Sequence, residues 1–327
     1  MLPAGAMALV LLLALWIDRR FGEPPLAVHP VVWIGHYLKA CGRVTVRCPP
    51  ALAFALGALA WALGAAAVAA LAWCLQALTF WQLVRFIAGP DLPGGLLAVA
   101  LLALMAWAAK SMLSWRMLRD EAGAVEAALQ QSLAAGRARL SWLVSRDTAQ
   151  LTASQVRESA IESLAENLND SVVAPIFWLV LLGLPGAALY RFANTADAMW
   201  GYRGTYRGQH WEWAGKWAAW ADDVLSWLPA RLTALLLALV AGGVPFKKLR
   251  VEARKTPSPN SGWPMAAMAL ALGISLGKPG VYTLNASGRA PQAADTARAQ
   301  KYASKVLLAL FPIALIAISL IAFLARP

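Results

Sequence analysis

The sequence predicts an all-α integral membrane protein of four to six transmembrane helices, with one candidate for a broken or re-entrant helix and amphipathic cytoplasmic helices beside them. Composition is the first reason. Hydrophobic residues make up 60% of the 327 and charged residues 14%, against about 25% charged in an ordinary soluble domain. Patterning is the second: the charge deficit gathers into uncharged runs at Leu2–Ile17, Ala51–Trp81, Leu92–Ala109, Val172–Tyr190 and Val306–Ala325. The third is that no alternating strand pattern of useful length appears.

A helix needs roughly 20 apolar residues to cross the hydrocarbon core. Ala51–Trp81 and Val306–Ala325 meet that outright, while Leu2–Ile17 and Leu92–Ala109 are shorter but carry no charge. No basic region precedes the first run, and DRRFGEPP follows it where small residues would mark cleavage, so it reads as a span and not as a secretory signal. Val172–Tyr190 contains Pro175, Gly183, Pro185 and Gly186, interruptions that suit a broken helix lining a cavity as well as a plain crossing.

The chain reads as a single membrane-embedded domain, residues 1–327. Its polar mass lies at 18–50, in a main helical region at 110–170 and in a second, loop-rich region at 247–305. Ser111–Leu133 and Thr152–Asn169 have the composition and periodicity of amphipathic helices. The net charge is +12, yet no helix-turn-helix or aromatic–basic module accompanies it, so nucleic acid is not an expected partner. Arg19, Arg20, Lys39, Arg43 and Arg47 follow the first span, and Lys247, Lys248, Arg250, Arg254 and Lys255 follow the apolar stretch near residue 240. The positive-inside rule places both loops in the cytoplasm.

Cys41, Cys48 and Cys74 form no C-x-x-C pair, and an odd count argues against a disulfide framework. His29, His36 and His210 are scattered, so a zinc site is not expected.

On a helix, residues four apart share a face. Glu158, Glu162 and Glu166 therefore form an acidic stripe, extended by Asp170 if the helix continues, beside an apolar stripe of Ile161, Leu164, Ala165 and Leu168. The stripe is either a solvated face or a holder of magnesium, which takes oxygen ligands and bridges phosphates. Asn167 stands beside it, and Arg146 and Asp147 just precede the helix. A second cluster brings Asn194, Asp197, Arg203 and Arg207 among aromatic residues, with Trp200, Trp211, Trp213 and Trp217 read as interfacial anchors. Asp222 and Asp223 precede an apolar run that contains Arg231. A charge within a span faces a partner or a cavity, so Arg231 either pairs with one of these aspartates or contacts substrate. The third cluster, around Thr256–Asn285, is dense in Pro, Gly and Asn and reads as a tight ordered loop and not as a helix. Asn260 and Ser261 either bind a ligand or cap the segment starting near Pro264.

The motifs occur in an order that resembles one family over nearly the whole chain. D-x-x-x-G-E-P and H-P-V-x-x-I-G stand at Asp18, Gly22, Glu23, Pro24, His29, Pro30, Val31, Ile34 and Gly35. R-D-T is Arg146–Thr148, A-E-N-x-x-D is Ala165–Asp170, and A-P-x-F-W is Ala174–Trp178. N-T-x-D-x-M-x-G-Y-R spans Asn194–Arg203, D-D is Asp222–Asp223, P-A-R-L-T-A is Pro229–Ala234, and S-P-N-x-G-W-P is Ser258–Pro264. The set is similar to the CobD/CbiB proteins, adenosylcobinamide-phosphate synthases of cobalamin biosynthesis. Ser145 and Ser171 replace frequent glycines, and Met265 stands where many relatives have Glu, so an acid has no direct role at that position here.

The resemblance implies an inner-membrane ligase that joins adenosylcobyric acid to (R)-1-aminopropan-2-ol or its O-phosphate, using ATP and magnesium, with the active site facing the cytoplasm. It implies a corrinoid and aminopropanol (phosphate) as substrates, the bilayer as surroundings, and other late cobalamin-pathway enzymes as neighbours. Catalytic candidates are Glu162, Glu166, Asp197, Asp222 and Asp223. Glu162, Glu166 and Asp170 are candidate magnesium ligands. Arg146, Asp147, Asn167, Asn194, Tyr202, Arg203, Arg231, His29 and Asn260 are candidate substrate contacts. No Walker A or Gly-rich phosphate loop occurs. A distantly similar family implicated in β-lactamase regulation shares the layout, but the complete polar motifs favour the enzyme. A transporter would show an inverted repeat, and none is visible.

Overall fold

Ala- and Leu-rich stretches without helix breakers propagate helix readily, and the apolar runs become the long helices. The computed structural model describes residues 2–324; Ala325, the end of the last predicted run, lies outside the described residues. In chain order the helices are α1 (Leu2–Phe21), α2 (Pro30–Thr45), α3 (Pro50–Ala88), α4 (Leu92–Ser111), α5 (Trp115–Gln131), α6 (Leu133–Leu140), α7 (Ala153–Leu168) and α8 (Ala174–Trp200). Then come α9 (Lys216–Leu225), α10 (Trp227–Val240), α11 (Phe246–Glu252), α12 (Gly262–Leu272) and α13 (Ala293–Leu324). Two small antiparallel hairpins interrupt them: β1 (Thr205–Tyr206) with β2 (Gln209–His210), and β3 (Leu276–Lys278) with β4 (Tyr282–Leu284).

Among the described residues, four helical stretches are long and apolar enough to cross a membrane: Pro50–Ala88, Leu92–Gln131, Ala153–Trp200 and Ala293–Leu324. The consecutive pair α9 and α10 makes a fifth if counted as one broken span. The apolar part of the third stretch begins at Val172. Its first helix, α7, carries Arg157, Glu158, Glu162 and Glu166 and lies outside that part.

Contacts group the chain into two units, between which it passes repeatedly. The first comprises the residues up to Ser114, Ala174–Leu225 and the chain from Ala314. In it α1 packs on α4, and α3 packs on α8. Ile34, Leu38, Phe192, Ala196 and Trp200 form a shared core. Trp200, expected as an interfacial anchor, is instead buried and donates its indole N–H to the Leu38 carbonyl at 3.2 Å. The broken helix is real and local: Gly183 in α8 has φ 71° and ψ −160°, two residues before Pro185. Leu184 N, freed by the break, donates to Gln76 Oε1 of α3 at 2.8 Å. Inside a bilayer an unmade backbone bond would cost several kcal/mol, so the Gln76 amide is what makes the break tolerable.

The second unit comprises Trp115–Val173 and Ser226–Ile313. Val125, Leu129, Leu140, Leu151, Val156 and Ala160 form a core among α5, α6 and α7. Thr152 and Gln155 close a capping box at the start of α7, which ends in a π-helical turn at Asn169–Val173. Arg157 of α7 makes a two-pronged pair with Glu126 of α5 at 2.8 and 2.9 Å, and Thr296 of α13 also donates to Glu126.

The segment after Thr256 departs from the expected loop. Only residues 256–261 form one; Gly262–Leu272 is a buried helix, and β3–β4 follows. Ser261, the N-cap residue of α12, does not cap it through its side chain. Gly262 is needed because the loop lies so close to Ala253 that a Cβ there would sit 2.1 Å from its carbonyl oxygen.

Candidate active site

Three of the sequence motifs converge within the second unit on a polar cavity of about 300 Å³. α7 contributes Glu162, Glu166 and Asn167, the turn before it contributes Arg146, and the 256–261 loop contributes Ser258 and Ser261. The β3–β4 hairpin adds Lys278 and Tyr282, neither of which the sequence singled out. A Pro279–Gly280 turn, with Gly280 at φ 73°, was the available signal for a hairpin there.

Arg146 Nη2 lies 3.1 Å from Glu162 Oε2. The Glu162 side chain is 2% exposed. Each partner keeps one buried atom without a hydrogen bond in the protein: Nη1 of Arg146 and Oε1 of Glu162. Buried polar atoms are normally satisfied, so this pair presents one unsatisfied donor and one unsatisfied acceptor to a ligand.

Burial pushes the Glu162 carboxyl up, against the pull of Arg146, Tyr282 and Lys278. Glu166, half-buried on the cavity wall, is pushed up to about 8, by burial first and then by Asp170 and Glu162. Burial also raises the Tyr282 phenol, reinforced by Glu162 and Glu166. Glu158 is raised by burial, opposed by the Ser154 hydroxyl. It lines a neighbouring cleft with Lys278 and not the cavity itself.

The acidic stripe therefore divides. Glu162 and Glu166 face the cavity, and Asp170 in the π turn accepts from Asn169 Nδ2 at 2.8 Å. Among the described residues no three His, Cys, Asp or Glu groups are gathered closely enough to hold a metal by themselves. Magnesium is usually held by one or two carboxylates plus substrate phosphates. Glu162 with its open oxygen, Glu166 and the Asn167 amide fit that lesser demand. The apolar stripe is as expected: Ile161, Leu164, Ala165 and Leu168 are all buried.

Asp147 is exposed and accepts from Ala149 N, shaping the turn that carries Arg146. Arg231 and Asn260 bind each other at 2.8 Å, and Arg231 also donates to the Pro259 and Trp227 carbonyls. In place of the expected aspartate pairing, Arg231 holds the 256–261 loop.

The other predicted residues lie in the first unit. Asn194 donates to Asp222 at 3.4 Å, joining α8 to α9. Asp223 is within electrostatic reach of Arg203. Asp197 approaches Gly201 so closely that a Cβ there would meet its carboxylate oxygen. Tyr202 stacks on Tyr206 of the first hairpin, ring centroids 3.7 Å apart. His29 has both ring nitrogens committed: Nδ1 accepts from Val31 N and caps α2, and Nε2 donates to Glu23 at 3.1 Å. Glu23 belongs in turn to a cluster absent from the sequence-based candidates, in which the fully buried Lys110 pairs with Asp18 and Glu23.

A family model described as CobD/Cbib protein matches residues 11–310. The chain belongs to this family. It is 40% identical over 284 residues to the cobalamin biosynthesis protein CobD of Chromobacterium violaceum, covering 83% of this chain and 81% of that one. It is 37% identical over 295 residues to a probable cobalamin biosynthesis protein CobD of Pyrococcus furiosus, covering 90% and 93%. With the corresponding protein of Methanothermobacter thermautotrophicus it shares 36% over 282 residues. No solved structure matches. The polar cavity and the Lys110 cluster both lie within the span that the CobD/CbiB model covers.

Proposed function

We propose that this protein acts in cobalamin biosynthesis as an ATP-dependent amide-forming ligase, joining the carboxylate of adenosylcobyric acid to (R)-1-aminopropan-2-ol or its O-phosphate. The observation that carries the reading is the Arg146–Glu162 pair, with its unsatisfied donor and acceptor, at the meeting point of the R-D-T, A-E-N-x-x-D and S-P-N-x-G-W-P motifs. Membership of the family and the names of the relatives support the pathway.

A carboxylate is a poor electrophile. Transfer of the γ-phosphoryl group of ATP to a carboxylate oxygen gives an acyl phosphate and ADP. The amine nitrogen then attacks the acyl carbon, inorganic phosphate leaves, and the ammonium loses a proton to a base. Arg146 and Lys278 supply positive charge toward phosphate oxygens, where charge-assisted bonds are strong. Glu166, with its raised pKa, suits the base role near neutral pH. Magnesium, held by Glu162 with Asn167, would neutralise phosphate charge. The motif polar groups of the first unit, Asp197, Asp222, Asp223, Asn194, Tyr202 and Arg203, are proposed further contacts to substrate. Applied to the basic loops, the positive-inside rule supports an inner-membrane enzyme with its active site toward the cytoplasm, where ATP is available.

The test uses purified protein in detergent with adenosylcobyric acid, magnesium, ATP and each amine in turn, followed by mass spectrometry. ATP-dependent appearance of the amide is the expected result. Folded protein that forms no amide with either amine overturns the proposal.

A further inference from the structure

The second unit contains another cavity, of about 710 Å³, that shares no lining residue with the polar pocket. Its walls are apolar. Ala234, Leu235, Ala238 and Leu239 come from α10, Gly242 and Gly243 from the turn after it, and Phe246 and Leu249 from α11. Arg231 and Trp263 also line it, and Arg231 is the only charged residue among the lining groups. Leu235 and Leu239, in a helix that reads as part of a broken membrane span, and Phe246 of α11 are each more than half exposed.

The chemistry of Arg231 says what the groove would accept. A guanidinium has five N–H donors. Nη1 donates to Trp227 O and Asn260 Oδ1, and Nη2 to Pro259 O. Nε–H and one Nη2 hydrogen are left over. Each partner of Arg231 among the described residues is a neutral oxygen or an indole face, with Trp227 at 4.3 Å and Trp263 at 5.0 Å, so among these residues no ion pair offsets its charge. A cation with spare donors beside an apolar groove is complementary to an amphiphile with an anionic head. The exposed Lys247 and Arg250 of α11 add to the positive field, which attracts anionic lipid surfaces.

We propose that this groove is a binding site for an anionic phospholipid, with one acyl chain between α10 and α11 and the headgroup phosphate at Arg231. The occupant stabilises the Pro259–Asn260 loop through the same guanidinium that holds it. The site is separate from the polar cavity, and its occupancy is readable without any turnover.

The experiment reconstitutes the full chain in nanodiscs of equal phosphatidylglycerol and phosphatidylcholine. Native mass spectrometry then counts the lipids that stay bound after release. The expected result is preferential retention of phosphatidylglycerol. Arg231→Gln should lower that preference about tenfold, the effect of one charged hydrogen-bonded contact. Since Arg231 also anchors a loop, Ala238→Trp provides an independent arm: it fills the groove, leaves the Arg231 bonds intact, and should remove the retained lipid. Equal retention of the two lipids by the natural protein overturns the proposal, as does undiminished phosphatidylglycerol on folded Ala238→Trp. Loss of the preference in a Lys247→Gln/Arg250→Gln variant, with Arg231→Gln unaffected, would also overturn it, by placing the attraction on the surface of α11.

Discussion

Glu23 Oε1 lies 2.9 Å from Nζ of Lys110, a lysine with no exposed side-chain surface. Asp18 is 3.4 Å from the same ammonium, and His29 holds the other oxygen of Glu23. The D-x-x-x-G-E-P motif thus works as a buried ionic knot in the first unit. Removing one member of such a knot leaves uncompensated charge. Lys110→Met should cost about 3–5 kcal/mol, read as a large fall in melting temperature in detergent. Replacing Lys110 together with Asp18→Asn and Glu23→Gln should recover much of that loss, because the orphaned charges go too. A triple variant no more stable than Lys110→Met would contradict the argument.

Burial raises the Glu23 pKa, but His29 and Lys110 outweigh it, and the carboxyl ends below its ordinary value. A depressed folded pKa contributes stability above the unfolded value and loses it as pH falls through the folded one. The natural protein should therefore lose stability on acidification below the ordinary carboxylate range, and Glu23→Gln should flatten that part of the curve. Thermal melts at stepped pH would show the difference.

The kink in α8 makes a mechanical prediction. At Gly183, φ is 71°, and an added Cβ would sit 2.3 Å from Gln76 Oε1. Gly183→Ala meets both the backbone strain and the clash, and should destabilise by about 1–3 kcal/mol. Gln76→Leu leaves Leu184 N–H without its acceptor, for a loss of about 1–3 kcal/mol. The two changes disrupt one contact, so their combined cost should fall short of the sum. Full additivity in melting experiments would show that Gln76 does not support the break.

Much of this arrangement is legible in the sequence. The carboxylates of α7 recur every four residues, and the apolar stripe beside them is buried as the spacing requires. The interruption at Gly183–Pro185 also marks a real break. What the sequence hid were partners distant along the chain. Lys110 reads as the first polar residue after an apolar run, and only the packing of α1 on α4 buries it against Asp18. Lys278 and Tyr282 reach the cavity on three-residue strands, too short for any alternation to register. Arg231 has aspartates nearby in sequence, yet its hydrogen bonds go to a loop almost thirty residues later. Helical periodicity states which residues share a face, and tertiary packing decides what that face meets.

Within the polar cavity, Arg146 and Glu162 should act as a unit. Arg146→Gln leaves Glu162 buried without its main counter-charge, and Glu162→Gln leaves the guanidinium without its anion. If the pair faces phosphate and magnesium, each change should lower kcat by about 10²–10³-fold, the range seen for removal of one preorganised electrostatic group. The double variant should be little worse than either single one. Lys278→Met, on an exposed hairpin residue, should mainly raise the KM for the phosphate-bearing substrate while leaving the fold intact. Steady-state kinetics on all four variants would check this, and multiplicative losses for Arg146 and Glu162 would show independent roles.

Glu166 carries the most direct pH prediction. With its pKa pushed up to about 8, the carboxyl of the ligand-free protein is largely protonated at neutral pH. A base works only when deprotonated, so kcat/KM should climb as pH rises toward 8 and level off above it. Stability runs the other way. The folded state holds this proton more tightly than the unfolded one, so its contribution is complete below the ordinary carboxylate pKa and declines as pH rises through about 8. Glu166→Gln should abolish the rising limb of the rate profile and, in the absence of ligands, make the protein more stable than the natural one at alkaline pH. Opposite signs in the two measurements distinguish a working base from a structural acid. A variant that keeps the rising limb would place the base elsewhere, with Asp197, Asp222 and Asp223 the next residues to replace.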